Sequence, residues 1–130
     1  MSEQFQIVVV EDEPVIRELL RSMLDGAGIE VSCYPDAASA IQAVRRDPPD
    51  LLLLDMVMPG LDGLSLCRVL RADPSCATVP IYMVSASSRR ADHDSAKRAG
   101  ASGYIEKPFR VKQLQAIVED LRRKREKPSS

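Results

Sequence analysis

A chain of 130 residues is the length of one ordinary domain and can bury a sizeable core without metals or disulfides as staples. Its 45% hydrophobic and 28% charged residues are a globular balance, and a net charge of −1 gives no whole-molecule field that would gather nucleic acid or a membrane surface. No apolar run is long enough to span a bilayer, the opening MSEQFQ lacks the pattern of a signal peptide, and Cys33, Cys67 and Cys76, without CxxC spacing, read as reduced thiols of a cytoplasmic protein.

Short apolar runs alternate with segments of helical period. QIVVV (Gln6–Val10) reads as a strand. A helix from Pro14 follows, with Val15, Ile16, Leu19, Leu20, Met23, Leu24 and Ala27 on one stripe, Pro14 at its first turn and Gly26 and Gly28 at its end. EVSCY (Glu30–Tyr34) is a weaker strand, and Asp36 can cap a helix through Arg46 that turns Ala40, Ile41 and Val44 inward. DLLLLD is the third strand, followed by a helix from near Asp62 with Leu66, Cys67 and Leu70 on its apolar side. VPIYMVS (Val79–Ser85) is the fourth strand, and a polar helix spans Ser88 to Ala99. SGYIE (Ser102–Glu106) is the fifth, and the last helix, from Val111, carries Leu114, Ile117, Val118 and Leu121 at helical spacing.

Strands alternating with helices imply an α/β fold, a parallel sheet covered on both faces. The runs at Gln6, Leu51 and Val79 are nearly all apolar, as central strands are, whereas EVSCY and SGYIE admit polar residues, as edges do. The order 2-1-3-4-5 follows, with a ligand crevice at the carboxyl ends of strands 1 and 3, where the winding reverses.

Strand 1 runs into Glu11-Asp12-Glu13 and strand 3 ends on Asp55, so the crevice collects carboxylates. At about 5 Å and an effective dielectric near 20, each carboxylate pair repels by roughly 3 kcal/mol. Either a raised pKa or a bound cation must compensate, and hard oxygen ligands with room for water favour Mg²⁺. Taken alone, Asp12 and Asp55 fit helix capping or solvent exposure equally well, and Glu13 is read that way. Two more strand ends bring Ser85 and Lys107 to the same rim, where a cis Lys107–Pro108 bond would aim the ammonium at the carboxylates.

Four pieces, VVVEDEP, LLLLDMVMPGLDG, PIYMVSA and GASGYIEKPF, resemble the receiver domain of two-component response regulators in order and spacing, over Phe5 to Leu121. The resemblance implies a CheY-like, flavodoxin-like (βα)5 fold with Asp55 as phosphoacceptor. It implies Asp12 and Asp55 as Mg²⁺ ligands, with the Val57 backbone carbonyl as a third and Glu11 acting through a water. It makes Ser85 the switch hydroxyl, Lys107 the phosphate-binding lysine and Tyr104 the switch aromatic. Glu11 stands where the family more often has aspartate. The implied partners are a sensor histidine kinase or histidine phosphotransfer protein, and an effector or output domain that reads the surface of helix 4, strand 5 and helix 5. Such a receiver is a self-catalysed acceptor rather than a turnover enzyme. A Mg²⁺-dependent phosphatase would need an acid–base and a substrate cap, and a nucleotide or flavin carrier would need a glycine loop where EDEP stands.

The remaining features have simpler readings. His93, the single histidine, reads as solvated on the polar helix, and Met56 and Met58 as loop packing or an adaptable docking surface. Val57 and Ser87, two residues beyond Asp55 and Ser85, are short, which predicts slow hydrolysis of an acyl phosphate. The receiver is expected over residues 1–121 and a basic helix end and linker-like tail over 122–130. Five of the six residues from Arg122 to Lys127 are basic; without interleaved aromatics this reads as a solvated helix end, not a nucleic-acid contact.

Overall fold

The computed structural model describes residues 4–58, 60 and 62–126. The alternation becomes β1 (Phe5–Val10), α1 (Pro14–Leu24), β2 (Ile29–Tyr34), α2 (Ala37–Arg46), β3 (Leu51–Asp55), α3 (Gly63–Ala72), β4 (Ile81–Ser85), α4 (Arg90–Arg98), β5 (Gly103–Glu106) and α5 (Val111–Glu126). The strands are parallel and lie in the expected order, β2-β1-β3-β4-β5.

Consecutive side chains of a strand leave on opposite faces, so the unbroken apolar runs feed two cores. Val8, Val10, Leu52, Leu54 and Met83 meet Val44, Leu66, Leu70 and Ala96 of α2, α3 and α4 on one side. Ile7, Val9, Leu51, Leu53 and Ile105 meet Leu20 and Leu24 of α1 and Leu114 and Val118 of α5 on the other. Edge strand β2 is half-buried, which accommodates its Glu30 and Ser32. The register pairs Val10 with Leu54, Asp55 with Val84 and Ser85 with Glu106, so the strands deliver their final polar residues to one rim. Asp36 and Asp62 cap α2 and α3, accepting from the Ser39 and Ser65 amides at 2.9 and 2.8 Å.

Several boundaries differ from the sequence reading; β4, for one, begins at Ile81 rather than Val79. Helix α1 stops at Leu24, short of Ala27, and Val15 (76% exposed) and Leu19 face solvent. The helix rests on the sheet along Ile16, Leu20, Met23 and Leu24, a seam narrower than the apolar stripe. Helix α4 starts at Arg90 because Ser87 and Ser88 belong to the preceding loop, where Ser87 Oγ accepts from the Arg89 amide at 3.1 Å. The basic end of α5 expected beyond Leu121 extends to Glu126, and residues 127–130 of the expected tail lie outside the described residues.

Candidate functional site

Each acidic residue owes its position to a strand end. Glu11 follows β1 and is only 1% exposed, and Asp55 closes β3 at 7%. Asp12 is half-buried beside them, and carboxylate oxygens of Glu11, Asp12 and Asp55 all lie within 4.8 Å of one another. Such hard oxygen donors fit a divalent cation. Glu13 is exposed and makes no side-chain cap, so it faces solvent.

Lys107, after β5, closes the cluster. Its Nζ lies 3.3 Å from Glu11 Oε1 and 3.7 Å from Asp55 Oδ2, and the Lys107–Pro108 bond is cis. One ammonium does not neutralise three carboxylates, and the effect falls on Glu11. Burial first, then the adjoining Asp55 carboxyl, push the Glu11 carboxyl up to about 7, against the Glu13 amide and the Lys107 charge. A raised pKa is one of the two ways to relieve the expected repulsion.

Backbone groups fix the remaining lone pairs. Asp55 Oδ1 accepts from the Val57 amide at 3.1 Å, and Glu11 Oε2 from the Glu13 amide at 3.2 Å. The Val57 side chain itself is 75% exposed. Met56 and Met58 are buried in the core beneath the loop, so they pack rather than form a docking surface. Gly63 opens α3 against the Asp55 carbonyl, which a β-carbon there would strike.

Ser85 and Tyr104 occupy the α4 side of the rim. Ser85 shares the strand parity of Met83, and its Oγ accepts from the Ser87 amide at 3.1 Å. Tyr104 packs against the α2–α4 core and donates its hydroxyl to the Ser87 carbonyl at 2.9 Å. Ser87 Oγ in turn donates to Asp92 Oδ2. The seven expected site residues therefore lie along one rim: Glu11, Asp12 and Asp55 clustered, Lys107 paired with Glu11 and Asp55, Val57 bonded to Asp55, and Ser85 and Tyr104 joined through Ser87.

Two contributors escaped the sequence reading. Arg17 Nη1 donates to the Glu11 carbonyl at 2.8 Å, reaching back one turn from α1. His93, whose side chain is 38% exposed, also stacks on the Tyr104 ring. An arginine on the first helix and a histidine amid charges carry no signal that separates these roles from surface ones.

Comparison with known proteins gives the architecture a context. The model of the response regulator receiver domain matches residues 7–119. The chain is 41% identical over 125 residues to the DNA-binding response regulator MtrA of Mycolicibacterium smegmatis, covering 95% of this chain and 54% of that protein. It spans about half the length of the curated relatives it matches. Among solved structures, a putative response regulator from Chloroflexus aurantiacus superposes with a TM-score of 0.85 at 32% identity, over 91% of this chain and 97% of that one. The receiver domain of sensor histidine kinase PA1611 from Pseudomonas aeruginosa, with a magnesium ion coordinated in its active-site cleft, superposes with a TM-score of 0.83 at 32% identity and the same coverage.

Proposed function

This chain belongs to the response regulator receiver domain family, and from that premise we propose that Asp55 takes up a phosphoryl group from a histidine kinase or histidine phosphotransfer protein. The observation that carries the reading is Lys107 Nζ, 3.3 and 3.7 Å from the buried carboxylates of Glu11 and Asp55, an ammonium and an acidic cluster sharing one rim.

An Asp55 carboxylate oxygen forms a bond to phosphorus as the bond from phosphorus to the donor's imidazole nitrogen breaks, and that nitrogen leaves with the electron pair. The product is an aspartyl phosphate. Asp12, Asp55 and the Val57 carbonyl, with Glu11 through a water, would hold a Mg²⁺ ion, which would supply positive charge to offset the approaching anion. Lys107 turns from Glu11 toward a phosphoryl oxygen and adds a second charge. Ser85 then donates its hydroxyl to another phosphoryl oxygen, the loop through Ser87 follows, and Tyr104 moves into the vacated space. The surface of α4, β5 and α5 changes shape for an effector or an attached output domain.

The chain acts once per phosphoryl group, as acceptor and catalyst together, rather than as a turnover enzyme. Among the described residues no helix is long and apolar enough to cross a membrane, and we assign the chain to the cytoplasm, where kinase domains and ATP meet. MtrA is a DNA-binding regulator; in this chain three of the cations ending α5 have internal partners, Arg122 on the Ala27 carbonyl, Lys124 on Asp120 and Arg125 on Asp50. Nucleic-acid contact is therefore assigned to an output partner, not to this surface.

Incubation with acetyl phosphate and Mg²⁺, followed by intact mass, is expected to add one phosphoryl group that Asp55→Asn does not acquire. Equal gain by the variant, or continuous release of phosphate from phosphomonoesters, contradicts the reading. The lifetime of the product is a further expectation. Val57 offers no polar group, and Ser87 Oγ is taken by Asp92 and the Arg89 amide, so neither orients water. Val57→Gln is expected to hasten loss of the added mass severalfold; an unchanged decay contradicts this.

A further inference from the structure

We propose that Arg17 is a positioning residue for the acidic turn: by holding the Glu11 carbonyl it fixes the Glu11–Asp12 peptide and so sets how tightly the rim takes a Mg²⁺ ion. The inference rests on the reading of that rim as a receiver's metal and phosphoryl site.

Glu11 and Asp12 lie on the segment that leads from β1 into α1. The Glu11 amide donates to the Tyr34 carbonyl at 3.0 Å, the last rung of the β1–β2 ladder. One rung further the neighbouring strand has stopped. Pro35 has no N–H to give, and Asp36 turns off to cap α2. Arg17 Nη1 supplies a donor where the ladder stops, 2.8 Å from the Glu11 carbonyl oxygen. The Arg17 backbone is itself fixed, its amide bonded to the Glu13 carbonyl at 3.0 Å in the first turn of α1. The guanidinium is thus a strut across the turn, from a helix packed on the sheet to the residue that ends the ladder.

Glu11 is 1% exposed, so water is a poor substitute for that donor. A buried carbonyl that loses its donor finds another by rotating its peptide plane. This plane joins Glu11 to Asp12, and its rotation swings the Asp12 carboxylate relative to Asp55, which β3 holds in place. With the strut present, carboxylate oxygens of Glu11, Asp12 and Asp55 lie within 4.8 Å of one another. Mg²⁺ demands near-ideal octahedral geometry, so a displaced ligand weakens its binding.

Charge makes the opposite demand. A guanidinium beside an acidic cluster repels an incoming divalent cation. Acting through charge alone, Arg17 would weaken Mg²⁺ binding and its removal would tighten it. Acting as a strut, its removal weakens binding. The sign of the change separates the two.

The test follows backbone amide resonances as Mg²⁺ is added to wild type, Arg17→Met, Arg17→Lys and Arg21→Met. At about pH 8.5, above the Glu11 value of about 7, that carboxyl is ionised throughout. Arg21 is the control: one turn on, it also reaches a backbone carbonyl, that of Val31 at 3.0 Å, but in β2 and away from the acidic turn. Arg17→Met is expected to bind Mg²⁺ about tenfold more weakly. Arg17→Lys is expected to recover most of the loss, because one donor suffices, and Arg21→Met to match wild type. In metal-free protein the carbonyl carbon resonance of Glu11 is expected to move upfield in Arg17→Met and to stay in place in Arg21→Met. With acetyl phosphate, Arg17→Met is expected to need correspondingly more Mg²⁺ for half-maximal mass gain, yet to reach wild-type uptake when Mg²⁺ saturates. Unchanged or tighter Mg²⁺ binding by Arg17→Met, or equal weakening in Arg21→Met, overturns the strut and leaves the phosphoacceptor reading standing. Failure of Arg17→Met to fold also overturns it, since the bond then holds the whole fold and not the turn. The expected Mg²⁺ pattern without phosphoryl uptake by any protein upholds the strut and overturns the phosphoacceptor reading. Absence of Mg²⁺ binding by all four overturns both.

Discussion

Glu11 is the residue where burial and charge conflict most. In the metal-free protein its carboxyl is raised from 4.5 to about 7, so the folded state holds its proton more tightly than the unfolded one. Between those values the unfolded chain has already released the proton and the folded chain has not. The stabilisation is complete below about pH 4.5 and is lost as pH rises through 7, by up to about 3 kcal/mol. Urea unfolding in chelator is expected to give lower stability at pH 8 than at pH 5, with the decline much reduced in Glu11→Gln; a flat wild-type profile contradicts this. The acidic cluster was legible because its members end strands whose order the apolar runs reveal. Gly63 was not, since its need arises from a carbonyl eight positions earlier in the chain, brought against it by the loop. Gly63→Ala is expected to destabilise the fold by about 1–3 kcal/mol through displacement of the Asp55 backbone, read by the same unfolding curves.

Among elements, helix α3 carries an anchor that no periodicity marks. Arg71 sends Nε to the Gly100 carbonyl at 2.8 Å, Nη1 to the Val79 and Ala77 carbonyls at 2.7 and 3.1 Å, and Nη2 to Ser102 Oγ at 3.2 Å. It ties the loop before β4 to the loop before β5, and so holds the two strands that deliver Ser85 and Lys107. Arg71→Ala leaves several of these acceptors without a donor and is expected to cost about 2–3 kcal/mol in urea unfolding. Arg71→Lys is expected to recover little, because a single ammonium cannot span the fork; full recovery contradicts the account. Helix α1 teaches the complementary lesson. Period alone identified the helix, yet placed Val15 and Leu19 in the stripe although both are exposed. Which flank of an apolar stripe is covered depends on the width of the sheet and the neighbouring α5, and neither is written in the helix's own residues.

At the scale of the molecule, strand order was readable because a strand buried on both faces must be apolar throughout, and the polar residues of β2 and β5 mark them as edges. The end of the chain was less so. A basic run reads as a solvated face, but Arg125 binds Asp50 at 2.9 Å and lies over the Phe5 ring at 5.7 Å, drawing the last turn of α5 onto the start of the sheet. Such contacts join residues far apart in sequence, and charge patterning cannot foresee them. The whole arrangement converges on one rim, where three strands present carboxylates and an ammonium to an incoming phosphoryl group. Its most direct test is borohydride reduction of the protein after acetyl phosphate and Mg²⁺, with peptide sequencing by mass. An acyl phosphate is reduced to the alcohol, so the account expects homoserine at position 55 alone, and none when Mg²⁺ is chelated. Homoserine at position 12, a reduced glutamate at position 11, or phosphate retained on Ser85 or His93 with Asp55 intact would contradict it.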